Sequence, residues 1–141
     1  MGWHKQSLGT LRSVEKRIKA LDFLSAYDEL SAQDYMFSFE NLSRDFSHID
    51  ALTMYSFLMF SISMNETVDK HLAVCHYLYF MNPYICGADM LIKWHLLQAL
   101  NISPGNREVL LNWVFGVYNG NPDSPFSSSE LEHFRKQLPN P

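Results

Sequence analysis

His71, Cys75 and His76 are the residues whose types and spacing come nearest to chemistry. On a helix, His71 and Cys75 stand at i and i+4 and share a face, so both could ligate one zinc ion. His76 points about one hundred degrees away from Cys75 and does not join them. A tetrahedral site needs two more ligands. Cys86 and His95 are the candidates, and no second paired motif presents them. The same trio could serve as a thiol nucleophile with a histidine base. A reactive thiol needs an accessible, electropositive setting that lowers its pKa. Cys75 instead stands among Leu72 and Val74 with Asp69 nearby. The reading is therefore a buried, inert thiol, no metal and no catalysis at this helix.

Other constellations are equally plain. Asp28-Glu29 pairs two carboxylates, but in a charged stretch where solvation is the ordinary state and nothing marks one for a raised pKa. There is no glycine-rich phosphate loop, no metalloprotease motif and no nucleophile elbow. With six glycines, several in terminal or turn segments, nucleotide binding is not expected. The aromatic stripes of the central segments fit a core better than a cofactor box. The residues thus predict a protein that is not an enzyme and needs no cofactor.

The elements that must carry these residues read as helices. Apolar residues at 11, 14, 18, 21, 23, 24 and 30 give helical spacing from Leu11 to Leu30. Ser31-Ala-Gln-Asp34 resembles a capping box and predicts a short helix through Tyr35, Met36, Phe39 and Leu42. Ser47-His-Ile-Asp50 repeats the pattern before the apolar run from Leu52 to Ile62, a segment expected at the centre of the domain. Ser63-Met-Asn-Glu66 predicts the next start, with Val68, Leu72, Cys75, Leu78 and Tyr79 following, and Asn82-Pro83 ends that helix. A helix from about Gly87 to Leu100 follows, through Met90, Leu91, Trp94 and Leu97. Ser103-Pro104 opens another through Val109, Leu110, Trp113, Val114 and Val117. The turn cluster 119–125 and a capping box at Ser127-Ser-Ser-Glu130 then lead into Leu131, Phe134 and Leu138. No segment alternates with period two over a useful length. The expectation is an all-α fold in one domain, 1–141. About six to seven helices form antiparallel hairpins, in a compact array or bundle that could be HEAT-like.

Composition supports that size of core. The chain has 141 residues, 47% hydrophobic and 14% aromatic against 18% charged, far from the composition of disorder. Two cysteines are too few for a disulfide framework and read as buried free thiols in a reducing cytoplasm. The N-terminal residues have no apolar stretch of a signal peptide, and the run Ala51 to Met64 is too short and too interrupted by Ser and Thr to span a bilayer. A soluble, cytoplasmic protein is expected.

The net charge of −4 is uneven: residues 1–20 sum to +4, residues 21–70 to −7 and the remainder to −1. An acidic middle argues against nucleic acid as a direct ligand and suits a basic protein partner. Between 22 and 50, Tyr27, Tyr35, Phe37, Phe39 and Phe46 lie among seven carboxylates and one arginine. Tyrosines in a charged rim resemble an interface, because the ring supplies contact area and the hydroxyl a hydrogen bond. The partner-binding candidates are Asp22, Tyr27, Asp28, Glu29, Asp34, Tyr35, Glu40, Asp45 and Asp50. The opposing reading is a plain solvated face with its aromatics turned inward.

The segment Leu96-Leu-Gln-Ala-Leu-Asn-Ile-Ser-Pro-Gly-Asn106, followed by Asn119-Gly-Asn-Pro-Asp-Ser-Pro-Phe126, is similar to helical immunity proteins of bacterial contact-dependent and polymorphic toxin systems. The similarity covers about the last third of the chain and contains no diagnostic residue, so no family site is carried over. It implies binding and neutralisation of one cognate toxin domain, commonly a nuclease. A nuclease handles a polyanion and presents a basic cleft, which an acidic inhibitor would cover. The alternative is a non-catalytic helical adaptor or a self-associating structural module.

Overall fold

The computed structural model describes residues 3–81, 85–103, 105 and 107–138, with side chains from residue 9 onward. Those residues form eight α-helices and no strand. The helices are α1 (Trp3–Lys19), α2 (Phe23–Ala32), α3 (Phe39–Asp45), α4 (Ala51–Met64), α5 (Val68–Phe80), α6 (Ala88–Ile102), α7 (Arg107–Tyr118) and α8 (Ser128–Gln137). The all-α expectation holds, with more helices than the spacing suggested. Asn82, Pro83 and Pro104 lie outside the described residues. No described helix is long and apolar enough to cross a membrane.

Four expected boundaries move, each for a local reason. The pattern from Leu11 to Leu30 is two helices, because Leu21 takes a left-handed conformation (φ 63°) and reverses the chain. The α1 and α2 faces then pack on each other. Ser31 does not open a helix. It lies in the last turn of α2, Asp34 turns left-handed (φ 52°), and α3 starts later with Ser38 as its cap, accepting from Asn41 N at 3.2 Å. Asp50 and Thr67 cap α4 and α5 in place of Ser47 and Ser63, accepting from Thr53 N and Lys70 N. In each case the capping residue is the one directly before the first helical residue, where its oxygen can reach the free amides.

Ser127 behaves as its sequence predicts. Its hydroxyl accepts from Glu130 N at 3.1 Å while Glu130 accepts from Ser127 N at 2.9 Å. Glu130 also receives Lys93 Nζ from α6 at 2.9 Å, and the Ser127 amide first, then Lys93, holds its carboxyl below the usual range. The cap therefore joins local helix initiation to tertiary docking of α8. Replacing Ser127 by Ala is expected to cost about 1 kcal/mol in urea denaturation, with fraying confined to 127–131 in amide exchange.

The core is continuous along the array. Leu11, Val14 and Ile18 of α1 and Leu30 of α2 close over Met54, Phe57 and Leu58 of α4. Helix α4 packs on α5, and α5 and α6 form the most extensive helix pair, with Val74, Leu78, Ile92 and Leu96 fully buried. Leu110, Leu111, Val114 and Tyr118 carry the core into α7, and Phe126 and Phe134 seal its end beneath α8. Beyond α4 each helix rests chiefly on its chain neighbours, as stacked hairpins do.

Candidate functional site

The acidic segment divides into residues spent on the fold and residues left facing solvent. Asp22 and Glu29 pair with Arg17 across the α1–α2 turn, at 3.7 and 3.0 Å. Asp45 is nearly buried and accepts from Tyr35 Oη at 3.0 Å and from its neighbour Arg44 at 2.9 Å. Burial first, then the Asp45 charge, pushes the Tyr35 phenol far above its ordinary range, so this tyrosine is a neutral core strut. Asp50 caps α4, and its bonds to Thr53 hold its carboxyl down.

Asp28, Asp34 and Glu40 remain exposed, and none makes an ion pair or side-chain hydrogen bond among the described residues. Two of them rim a groove. Asp34 lines a concavity of about 330 Å³ with Tyr27, Tyr35 and Lys70, and Glu40 lines one of about 240 Å³ with Phe39, Leu72 and His76. Both hollows share Met36, Phe37 and Asp69, so they form two halves of one groove between the α2–α3 connection and α5. Asp69, in the first turn of α5, supplies a third exposed carboxylate. Met36 projects beside it at 69% exposure. Asp28 lies on α2 outside the lining. Asp50 lines a separate, more apolar hollow of about 510 Å³ with Leu42, Phe46, Leu52 and Met81.

One wall of the groove is braced by Lys70, which is only 6% exposed. Its ammonium donates to Ser61 O (2.9 Å), Asn65 O (2.8 Å) and Tyr27 Oη (3.4 Å), and it faces the rings of Tyr27 and Phe37 at 4.9 and 5.2 Å. Three donors meet three acceptors, and the cation sits against the negative end of α4. The charge is thus turned inward while Asp34, Glu40 and Asp69 face outward.

The cysteines and histidines are arranged for packing and hydrogen bonding. Cys75 is fully buried, donates to Ile92 O at 3.7 Å and has its pKa raised by burial. Cys86 is exposed, not buried as expected, because it lies in the turn before α6. His76 packs against Trp113 at 5.4 Å. His71 and His95, both fully buried, meet through their Nδ1 atoms at 2.8 Å. Outward from the pair, His71 Nε2 meets Glu66 Oε2 at 2.7 Å and His95 Nε2 meets Tyr55 Oη at 3.2 Å. A shared proton between facing nitrogens is a hydrogen bond, not two lone pairs converging on a cation. No group of three or more candidate ligands is present among the described residues.

The sequence places Asp69 in the acidic sum without marking it as a site residue, and leaves Lys70 unmarked. It offers His71 and His95 only as possible co-ligands of a metal, not as a hydrogen-bonded pair. A lysine three residues after a threonine cap would have been a signal for the first turn of α5. The 24-residue gap between the histidines carries none. Comparison with protein families, with curated proteins and with solved structures finds no match.

Proposed function

We propose that this protein binds a basic protein partner through the groove between the α2–α3 connection and α5, and that the partner is a cognate toxin domain that it neutralises. One observation carries the reading: Asp34, Glu40 and Asp69 stand exposed and, among the described residues, unpaired around a groove lined by Phe37, Phe39 and Leu72, with the exposed Met36 beside them. Carboxylates without internal partners stabilise nothing in the fold beyond the local helix ends, and their mutual repulsion is relieved by a cation. An apolar floor inside a charged rim is the anatomy of a protein interface. Against a basic nuclease, such a face would cover the cleft that substrate occupies and would speed encounter by long-range attraction. The partner-binding set therefore narrows to Asp34, Glu40 and Asp69 with Tyr27 and Met36. Asp22, Glu29, Asp45 and Asp50 act mainly inside the fold.

The test is co-purification of the tagged protein with the C-terminal domain of the neighbouring gene's product, in cells where that domain is toxic. A stoichiometric complex with restored growth supports the proposal; no complex and no rescue rejects it. A second reading, a self-associating module, draws on the exposed Met90 and Trp94 one turn apart on α6. Dimerisation in the absence of any complex would favour it.

A further inference from the structure

The Glu66–His71–His95–Tyr55 chain has one self-consistent proton arrangement. The Glu66 carboxylate only accepts, so His71 Nε2 must carry the proton between them. A neutral His71 then has a bare Nδ1, which takes the proton of His95 Nδ1. That leaves His95 Nε2 bare to accept from the Tyr55 hydroxyl. Three hydrogen bonds run in one direction, with both rings neutral and every nitrogen satisfied.

We infer that the His71–His95 pair is an acid-operated latch on the α5–α6 interface, able to hold one added proton and opening when it must hold two. The first proton has a place: His71 donates from both nitrogens, to Glu66 and to His95, whose own proton moves to Nε2 and turns the Tyr55 hydroxyl around. The second has none. Two N–H groups would face each other across 2.8 Å, and two positive rings would lie 5.0 Å apart inside the most extensive helix pair of the fold.

The surroundings offer no further relief. From α4 the pair meets Tyr55, whose phenol burial keeps protonated; from α5 itself comes Cys75, whose thiol burial also keeps neutral. From α6, Trp94 sets its ring edge-on to both imidazoles. The other charged neighbours in sequence turn elsewhere: Asp69 and Lys70 to the groove, Lys93 to Glu130. Glu66, half-exposed on the α4–α5 connection, is the one charged group bonded to the pair among the described residues. Burial, then the neighbouring His71, pushes the His95 pKa down to about 3 from an ordinary 6.5. The unfolded chain therefore binds the extra proton first. The stability contributed by neutral His95 is complete above pH 6.5 and is lost as pH falls from 6.5 towards 3.

The test uses the full chain. Nitrogen-15 histidine NMR at pH 7.5 should show His95 protonated on Nδ1 and His71 on Nε2. Urea denaturation between pH 7.5 and 4.5, with amide exchange along α5 and α6, should show stability falling with acid and these two helices opening first. Glu66→Gln keeps an acceptor for His71 but removes the charge that holds the first proton. It should fold normally at pH 7.5 and lose stability at a higher pH than the native chain. His95→Gln should flatten the acid dependence; if it does not fold, the tautomers and the Glu66→Gln shift still decide. His95 protonated on Nε2 at neutral pH, or identical acid profiles for the native chain and Glu66→Gln, would overturn the latch.

Discussion

Replacing Asp34, Glu40 and Asp69 together by lysine is expected to slow association with a basic partner by roughly ten- to a hundredfold at low salt. The change converts three exposed negative charges around one groove into three positive ones. No hydrogen bond or ion pair of the fold depends on these side chains among the described residues. Glu40 and Asp69 do lie in the first turns of α3 and α5, so lysine there costs some helix-end stability. The neutral Glu40→Gln, Asp69→Asn pair separates that cost from the effect on association. Asp34 adds one consideration, since it occupies a left-handed turn that lysine adopts less readily than aspartate. Asp34→Asn, which removes the charge and tolerates that turn, separates the two effects. Stopped-flow association across a salt series reads the outcome. The native rate should fall steeply with salt, whereas that of the triple variant should fall little or rise. Equal rates and equal salt slopes would take the groove out of the encounter.

The second large effect is on stability. Lys70→Met keeps most of the aliphatic stem but removes the ammonium that links the α4 carbonyls to Tyr27. Ser61 O retains a bond from Asn65 N, whereas Asn65 O, just past the end of α4, loses its lysine donor. The ring contacts with Tyr27 and Phe37 lose their cation as well. Part of this loss is offset because a buried ammonium is itself costly to desolvate. The net is a loss of about 2 kcal/mol, or a fall of roughly 4–8 °C in Tm for a chain of this size. Calorimetry checks it. An unchanged Tm would mean that desolvation cancels the bonds, and that Lys70 does not brace the groove wall.

What could be read from the sequence follows from how far each interaction reaches along the chain. Ser127 with Glu130 is a contact over three residues, and it formed as the spacing predicts. The periodic face of α1 was equally legible, because its buried stripe of Leu11, Val14 and Ile18 repeats every turn. On α6 the stripe read through Met90 and Trp94 is exposed, and Ile92, His95, Leu96 and Ala99 are buried instead. The break at Leu21 was not: leucine in a left-handed conformation has no local signature, and it is the packing of α1 on α2 that makes the reversal worthwhile. The same limit divided the acidic segment. Asp22, Asp28 and Glu29 look alike as letters, yet Arg17 engages the first and third and leaves the second in solvent. Asp45 became a buried acceptor only because Tyr35, ten residues away, turns inward. His71 and His95 are joined by the contact of two helices, which no spacing within either helix encodes.

The central claim is that the groove is where a basic toxin domain docks, and one growth experiment tests it most directly. The toxin domain is co-expressed with the native protein, with the Asp34→Lys, Glu40→Lys, Asp69→Lys variant, and with a Ser127→Ala control whose change lies at the cap of α8. The account predicts growth with the native protein and the control, and loss of protection with the triple variant at equal soluble amount. Full protection by the triple variant would contradict it.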